Sequence, residues 1–174
     1  MMLRGWWIGA LALAVVSASF AVAAQADDRT AWIANLSGAN EVPARPTQAR
    51  GVAHFLLSED AMSMSYILIA ANIENVVAAH IHVGPPGVNG PVVVTLFIGT
   101  PGSGRFDGVL AMDTFDASDF SGPLAGHPLQ DLLDNMTSGN AYVNVHTNDG
   151  VAPTNTGAGD FPGGEIRGQL RLAD

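Results

Sequence analysis

The chain has 174 residues, no cysteine, 7 basic and 16 acidic residues, and a formal net charge of −9. Without cysteine there is no disulfide, no thiolate metal ligand and no cysteine nucleophile. None of the basic residues is lysine, so nothing builds the basic stripe that nucleic acid or an anionic membrane surface requires.

Met1 to Ala26 read as a secretory signal. Arg4 is the only charge, an apolar run follows from Trp6 to about Ala24, and Ala24-Gln25-Ala26 is a small-residue cleavage tripeptide. The apolar run approaches the ~20 residues that span a bilayer, but its Ala- and Ser-rich composition and its flanks favour removal over anchoring. Export to the periplasm or to the medium is therefore expected, with no membrane attachment after cleavage. Residues 27–174 are the right size for one domain with a real core. They are one unit more negative than the whole chain, because Arg4 leaves with the signal. That acidity suits a solvated exported surface or an attraction for cations.

From there on, apolar residues recur with period two or in short β-branched runs bounded by Gly, Pro, Asn and Asp. The spacing predicts strands at Thr30–Leu36, Ala49–Leu57, Met62–Ala71, Val76–Val83, Pro91–Ile98, Arg105–Thr114, Asn140–Thr147 and Gly164–Leu172. About eight short strands at this spacing predict an all-β Greek-key sandwich or barrel, such as the immunoglobulin-like one. Leu129, Leu132, Leu133 and Met136 fall at helical spacing, and Gly139 just beyond supplies a stop. One short helix is thus inserted before the seventh strand. Two long loops, Gly84 to Pro91 and Val151 to Asp160, carry more Gly and Pro than a hairpin needs, so packing or a ligand must order them.

The chemistry concentrates in two strands. Alternate side chains of a strand share a face, so in Ala79-His80-Ile81-His82-Val83 the two imidazoles point one way, ~6–7 Å apart. In Tyr142-Val143-Asn144-Val145-His146-Thr147 the valines face the core, and Tyr142, Asn144 and His146 face the other side. If the two strands are near neighbours, His80, His82 and His146 form one three-imidazole cluster on the surface opposite the core. Three neutral imidazoles without thiolate or methionine suit Cu(II), with Zn(II) as the alternative. Three protein ligands with an open position would be the catalytic pattern; the competing expectation is that the histidines only hydrogen-bond loops.

His54 is expected to be packed or at a strand edge, and His127 to be a turn residue ahead of the helix. Asn148, Asp149, Asn155 and Asp160 offer oxygen atoms for calcium, but their spacing matches no dedicated loop. Glu165 and Arg167 share one face of the last strand, where they can pair, and an arginine beside a metal site can attract an anion. No nucleophile elbow and no Gly-rich phosphate loop is present.

Four stretches in order carry a resemblance. Leu36-Ser37-Gly38-Ala39-Asn40-Glu41-Val42-Pro43, Ala79-His80-Ile81-His82 with Asn89-Gly90-Pro91-Val92-Val93, Gly139 through Thr147, and Gly164-Glu165-Ile166-Arg167-Gly168-Gln169-Leu170 resemble the chordin-type CHRD domain. The likeness runs from about Trp32 to Leu172. It implies a β-sandwich or barrel found in exported proteins and no settled biochemical activity. The order of His80-Ile81-His82, His146 and Arg167 is also similar to copper/zinc superoxide dismutase. That likeness implies a superoxide-dismutase-like barrel and copper at His80, His82 and His146, with Arg167 guiding an anion. No histidine falls between His82 and His127 to bridge a second metal, so a mononuclear site is the most the pattern supports.

Three function classes follow. The first is an exported protein binding a single copper or zinc ion, in metal handling or redox defence. The second is a non-catalytic adhesion or assembly module with structural histidines, and the third is a dismutase-like enzyme.

Overall fold

The structure is a computed structural model that describes residues 30–173. The export signal expected over Met1 to Ala26 lies outside those residues. Strands run at β1 (Ala31–Ser37), β2 (Arg50–Leu57), β3 (Ser63–Glu74), β4 (Val76–Val83), β5 (Val92–Ile98), β6 (Arg105–Asp116), β7 (Ala141–Thr147), β8 (Ile166–Gln169) and β9 (Arg171–Leu172), with α1 (Leu129–Thr137) between β6 and β7. The spatial order is β5-β4-β7-β8-β1-β2-β3-β6, every pair antiparallel, and the short β9 adds to β1. The sheet curls into a nearly closed barrel, and the expected all-β architecture with one inserted helix is what the chain adopts.

Period-two patterning closes the barrel on its interior. Along β3, Met64, Tyr66, Leu68 and Ala70 are buried while the residues between them are partly or fully exposed. They meet Trp32, Ala34 and Leu36 of β1, Phe55 of β2, Ile81 of β4 and Val143 and Val145 of β7 in one apolar core. Burying each large side chain contributes roughly 1.5–3 kcal/mol, and with no disulfide such burial carries the stability. Phe55, Tyr66 and Phe115 pack with ring centroids 5.9 to 6.4 Å apart. The Tyr66 hydroxyl then donates to the Leu96 carbonyl at 2.7 Å, which ties β3 to β5 across the interior. The helix buries Leu129, Leu132, Leu133 and Met136, the four residues whose spacing foretold it. Among the described residues no helix is long and apolar enough to cross a membrane.

Two features of the ladders position the candidate site. β4 pairs with β7 so that His82 lies opposite Tyr142, His80 opposite Asn144 and Ala78 opposite His146. On its other side, the β4–β5 register shifts twice, between Ala79 and His80 and between Ile81 and His82. Extra residues on β5 put Val93 and Val94 both in the core, and such bulges bend a strand locally and re-aim its side chains.

Candidate metal centre

β4 and β7 are neighbours, and they bring His80, His82 and His146 together. One ring nitrogen of each lies within 4.8 Å of the others, an arrangement able to hold a single metal ion. The ring centroids are 4.9 Å apart for His80–His146, 5.7 Å for His80–His82 and 5.8 Å for His82–His146.

The cluster differs from expectation in one respect: it is covered and does not sit on the surface. His82 is buried, His80 and His146 are half-buried, and Tyr142 and Asn144 beside them are buried although they face away from the core. The physical reason is that the two long loops fold over this face. Gly90 of the β4–β5 loop places its carbonyl 2.9 Å from His82 Nδ1, and Pro162 of the β7–β8 loop places its carbonyl 2.9 Å from His146 Nδ1.

Those two contacts set the tautomers. A backbone carbonyl only accepts, so each Nδ1 carries the proton and donates it, and each Nε2 is left with a bare lone pair. Among the described residues, the buried imidazole nitrogens without a hydrogen-bond partner are His82 Nε2, His146 Nε2 and His80 Nδ1. Buried polar atoms are nearly always partnered, and three unpartnered imidazole nitrogens in one cluster suit a cation. Metal-bound histidines commonly donate their second ring nitrogen to a carbonyl in the same manner.

Around the cluster lies a polar shell that the sequence pattern did not single out. Glu41, from the loop after β1, is 6% exposed and accepts from Asn144 Nδ2 at 3.4 Å, while Glu41 Oε1 and Asn144 Oδ1 have no partner. Gly164 makes this approach possible. Its φ of +122° is a glycine conformation, and a Cβ there would lie 2.5 Å from Asn144 Oδ1 and 2.8 Å from Glu41 Oε1. The only sequence signal for Glu41 was its place in the Leu36 to Pro43 stretch.

Arg167, the possible anion guide expected from the sequence, is not free in solvent. It is 1% exposed, and its guanidinium donates to Asn89 Oδ1, the Pro85 carbonyl and Gln169 Oε1. Nor does it pair with Glu165, whose carboxylate accepts from Thr47, Thr147 and the Gly159 amide. His54 is exposed on the outer face of β2, and His127 contacts Asp131 Oδ2 at 2.7 Å just ahead of α1, so neither joins the cluster. Asp160 uses Oδ2 on the Thr156 amide and hydroxyl within its own loop.

Burial holds the His80 and His82 imidazoles down at about 4, aided by the neighbouring histidines, and burial lowers His146 as well. Glu41 goes the other way: burial raises it to about 7 against the pull of Arg167 and Arg45. These shifts make stability depend on pH with opposite signs. The buried neutral histidines contribute stability that is complete above their ordinary value near 6.5 and lost as pH falls toward 4. The Glu41 contribution is complete below 4.5 and lost as pH rises through 7. Three histidines outweigh one carboxyl, so the metal-free protein is expected to lose on the order of 2 kcal/mol between pH 6.5 and 4.5, allowing for residual solvation. In thermal melts across that range Glu41→Gln should fall more steeply than wild type; a flat profile for both would show that the imidazoles are not buried neutral.

An antiparallel β-barrel with a covered three-histidine cluster on its outer face defines the class of protein. The family model of the CHRD domain matches residues 32–170, and the chain belongs to that family. No curated protein and no solved structure matches the chain.

Proposed function

We propose that this is an exported CHRD-domain protein that binds one copper ion, with zinc as the alternative, through His80, His82 and His146, in metal handling or redox defence. The observation that carries the reading is the convergence of three buried, unpartnered imidazole nitrogens, two of them bared by carbonyls that fix the opposite nitrogen as donor. The donor set is all nitrogen, with no thiolate, which favours Cu(II) and Zn(II) over softer Cu(I). CHRD domains are extracellular-type modules, and the apolar segment from Trp6 to about Ala24 supports an export route. The covered site favours holding a metal over turning over a substrate, because the loops that fix the tautomers also shield the ring nitrogens from solvent.

A second reading draws on a different surface. Val109 and Met112 of β6 and Ile98 of β5 are 52%, 73% and 71% exposed, and an adhesion or assembly module would use exposed apolar side chains of this kind to engage a partner. Metal analysis separates the two. Protein recovered from its own compartment without chelator or histidine tag should carry one equivalent of copper or zinc; metal-free protein with no high-affinity uptake would leave the assembly reading.

A further inference from the structure

We propose that Arg167 is a positioning residue for His82, holding in one grip both the ring that stacks on His82 and the loop whose carbonyl fixes the His82 tautomer. The Arg167 guanidinium carbon lies 3.4 Å from the centroid of the Tyr142 ring. The opposite face of Tyr142 lies against His82, with centroids 4.9 Å apart and planes 9° from parallel. Guanidinium, phenol and imidazole thus form a three-layer stack running from β8 through β7 to β4. All three layers are buried, and desolvation strengthens the attraction of a cation to an aromatic face.

The same guanidinium reaches the loop between β4 and β5. Nη2 donates to the Pro85 carbonyl at 3.1 Å and Nη1 to Asn89 Oδ1 at 3.3 Å. Asn89 in turn donates to the Val42 carbonyl at 2.7 Å. Next along the chain is Gly90, whose amide donates to the Tyr142 hydroxyl at 3.0 Å and whose carbonyl receives His82 Nδ1–H at 2.9 Å. Two independent paths therefore run from Arg167 to His82, one through the ring of Tyr142 and one through the backbone of residues 85–90. Both bear on the same outcome, a proton kept on Nδ1 and a bare Nε2. Lysine keeps the charge but has neither the plane to stack on the phenol nor the fork to donate to two loop atoms.

The value of that bare Nε2 rests on the copper reading, but the tautomer itself does not, and the two are measured separately. Long-range proton–nitrogen NMR spectra of metal-free, nitrogen-15-labelled protein report which His82 nitrogen is protonated. Wild type should show a single Nδ1–H tautomer. Arg167→Lys should show a mixture of tautomers, with Cu(II) affinity reduced at least tenfold, while the exposed control Arg105→Lys changes neither. An Arg167 with a purely structural role would lower the melting temperature and leave the His82 spectrum as it is, which overturns the proposal. Should Arg167→Lys fail to fold, the exposed Asn89→Ala loosens the same loop contact: mixed tautomers support the proposal, and a single Nδ1–H form overturns it. If wild type takes up no copper, the NMR result still decides the role of Arg167, and only the metal reading falls.

Discussion

His82→Ala is expected to weaken Cu(II) binding by at least about a hundredfold, and to do so without unfolding the barrel. The affinity estimate follows from the geometry. Loss of groups that merely support a metal ligand costs 10–100-fold, and His82 supplies one of only three converging nitrogens. The barrel should survive because His82 stands outside the apolar core that holds it together. His80→Ala and His146→Ala should match it, and combining any two should weaken binding further, since one remaining imidazole no longer chelates. His54→Ala and His127→Ala should leave binding unchanged, as both side chains are exposed and outside the cluster. A competitive titration with a chromophoric copper chelator measures all of these. Equal affinity in wild type and His82→Ala would remove this residue from the site.

Glu165→Ala is the substitution expected to damage the fold most. Its carboxylate is fully buried and takes three hydrogen bonds: from Thr47 Oγ1 and Thr147 Oγ1 at 2.6 Å each, and from the Gly159 amide at 2.8 Å. Those donors come from the segment before β2, from β7 and from the long β7–β8 loop, so one side chain pins three elements together. Alanine would leave buried donors unpaired at roughly 1–3 kcal/mol each. Because they form one network the costs do not simply add, and a loss on the order of 4 kcal/mol is expected. That is a large share of the ~5–15 kcal/mol that holds a domain folded. Glu165→Gln preserves the shape and should cost about half as much. Urea unfolding reads both; a midpoint for Glu165→Ala near that of wild type would contradict the cross-brace. A metal consequence follows as well, because Thr147 adjoins His146 and the braced loop carries the Pro162 carbonyl.

How much of this was legible in the sequence depends on how local the cause is. β4 was predicted at Val76–Val83 and runs over those residues, because its apolar alternation and flanking turns are all within the segment. The spacing over Gly164–Leu172 predicts one strand, whereas the segment forms β8 and β9, with Leu170 between them buried in the core. The parity that put His80, His82 and His146 on one side of the sheet held, since a two-residue repeat needs no tertiary knowledge. What parity does not give is the environment of that side. A strand face opposite the core is ordinarily solvated, and here loops with no periodicity of their own cover it. The burial of Arg167 was hidden for the same reason: its partners Pro85, Asn89 and Tyr142 are far away in the chain, and a lone arginine near a histidine cluster reads as a free charge. Glu41 illustrates the complementary case, a carboxyl in a polar loop that becomes buried only when Gly164 lets the backbone come close.

The central claim is that three imidazoles of this barrel bind one copper ion. Electron spin-echo and continuous-wave spectra of protein loaded with one equivalent of Cu(II), recorded for wild type and His82→Ala, test it most directly. Coupling to three histidine nitrogens in wild type, reduced to two or replaced by a weakly bound signal in the variant, is the expected result. A wild-type spectrum identical to that of His82→Ala, or one showing the metal on backbone nitrogens and water alone, would contradict the site.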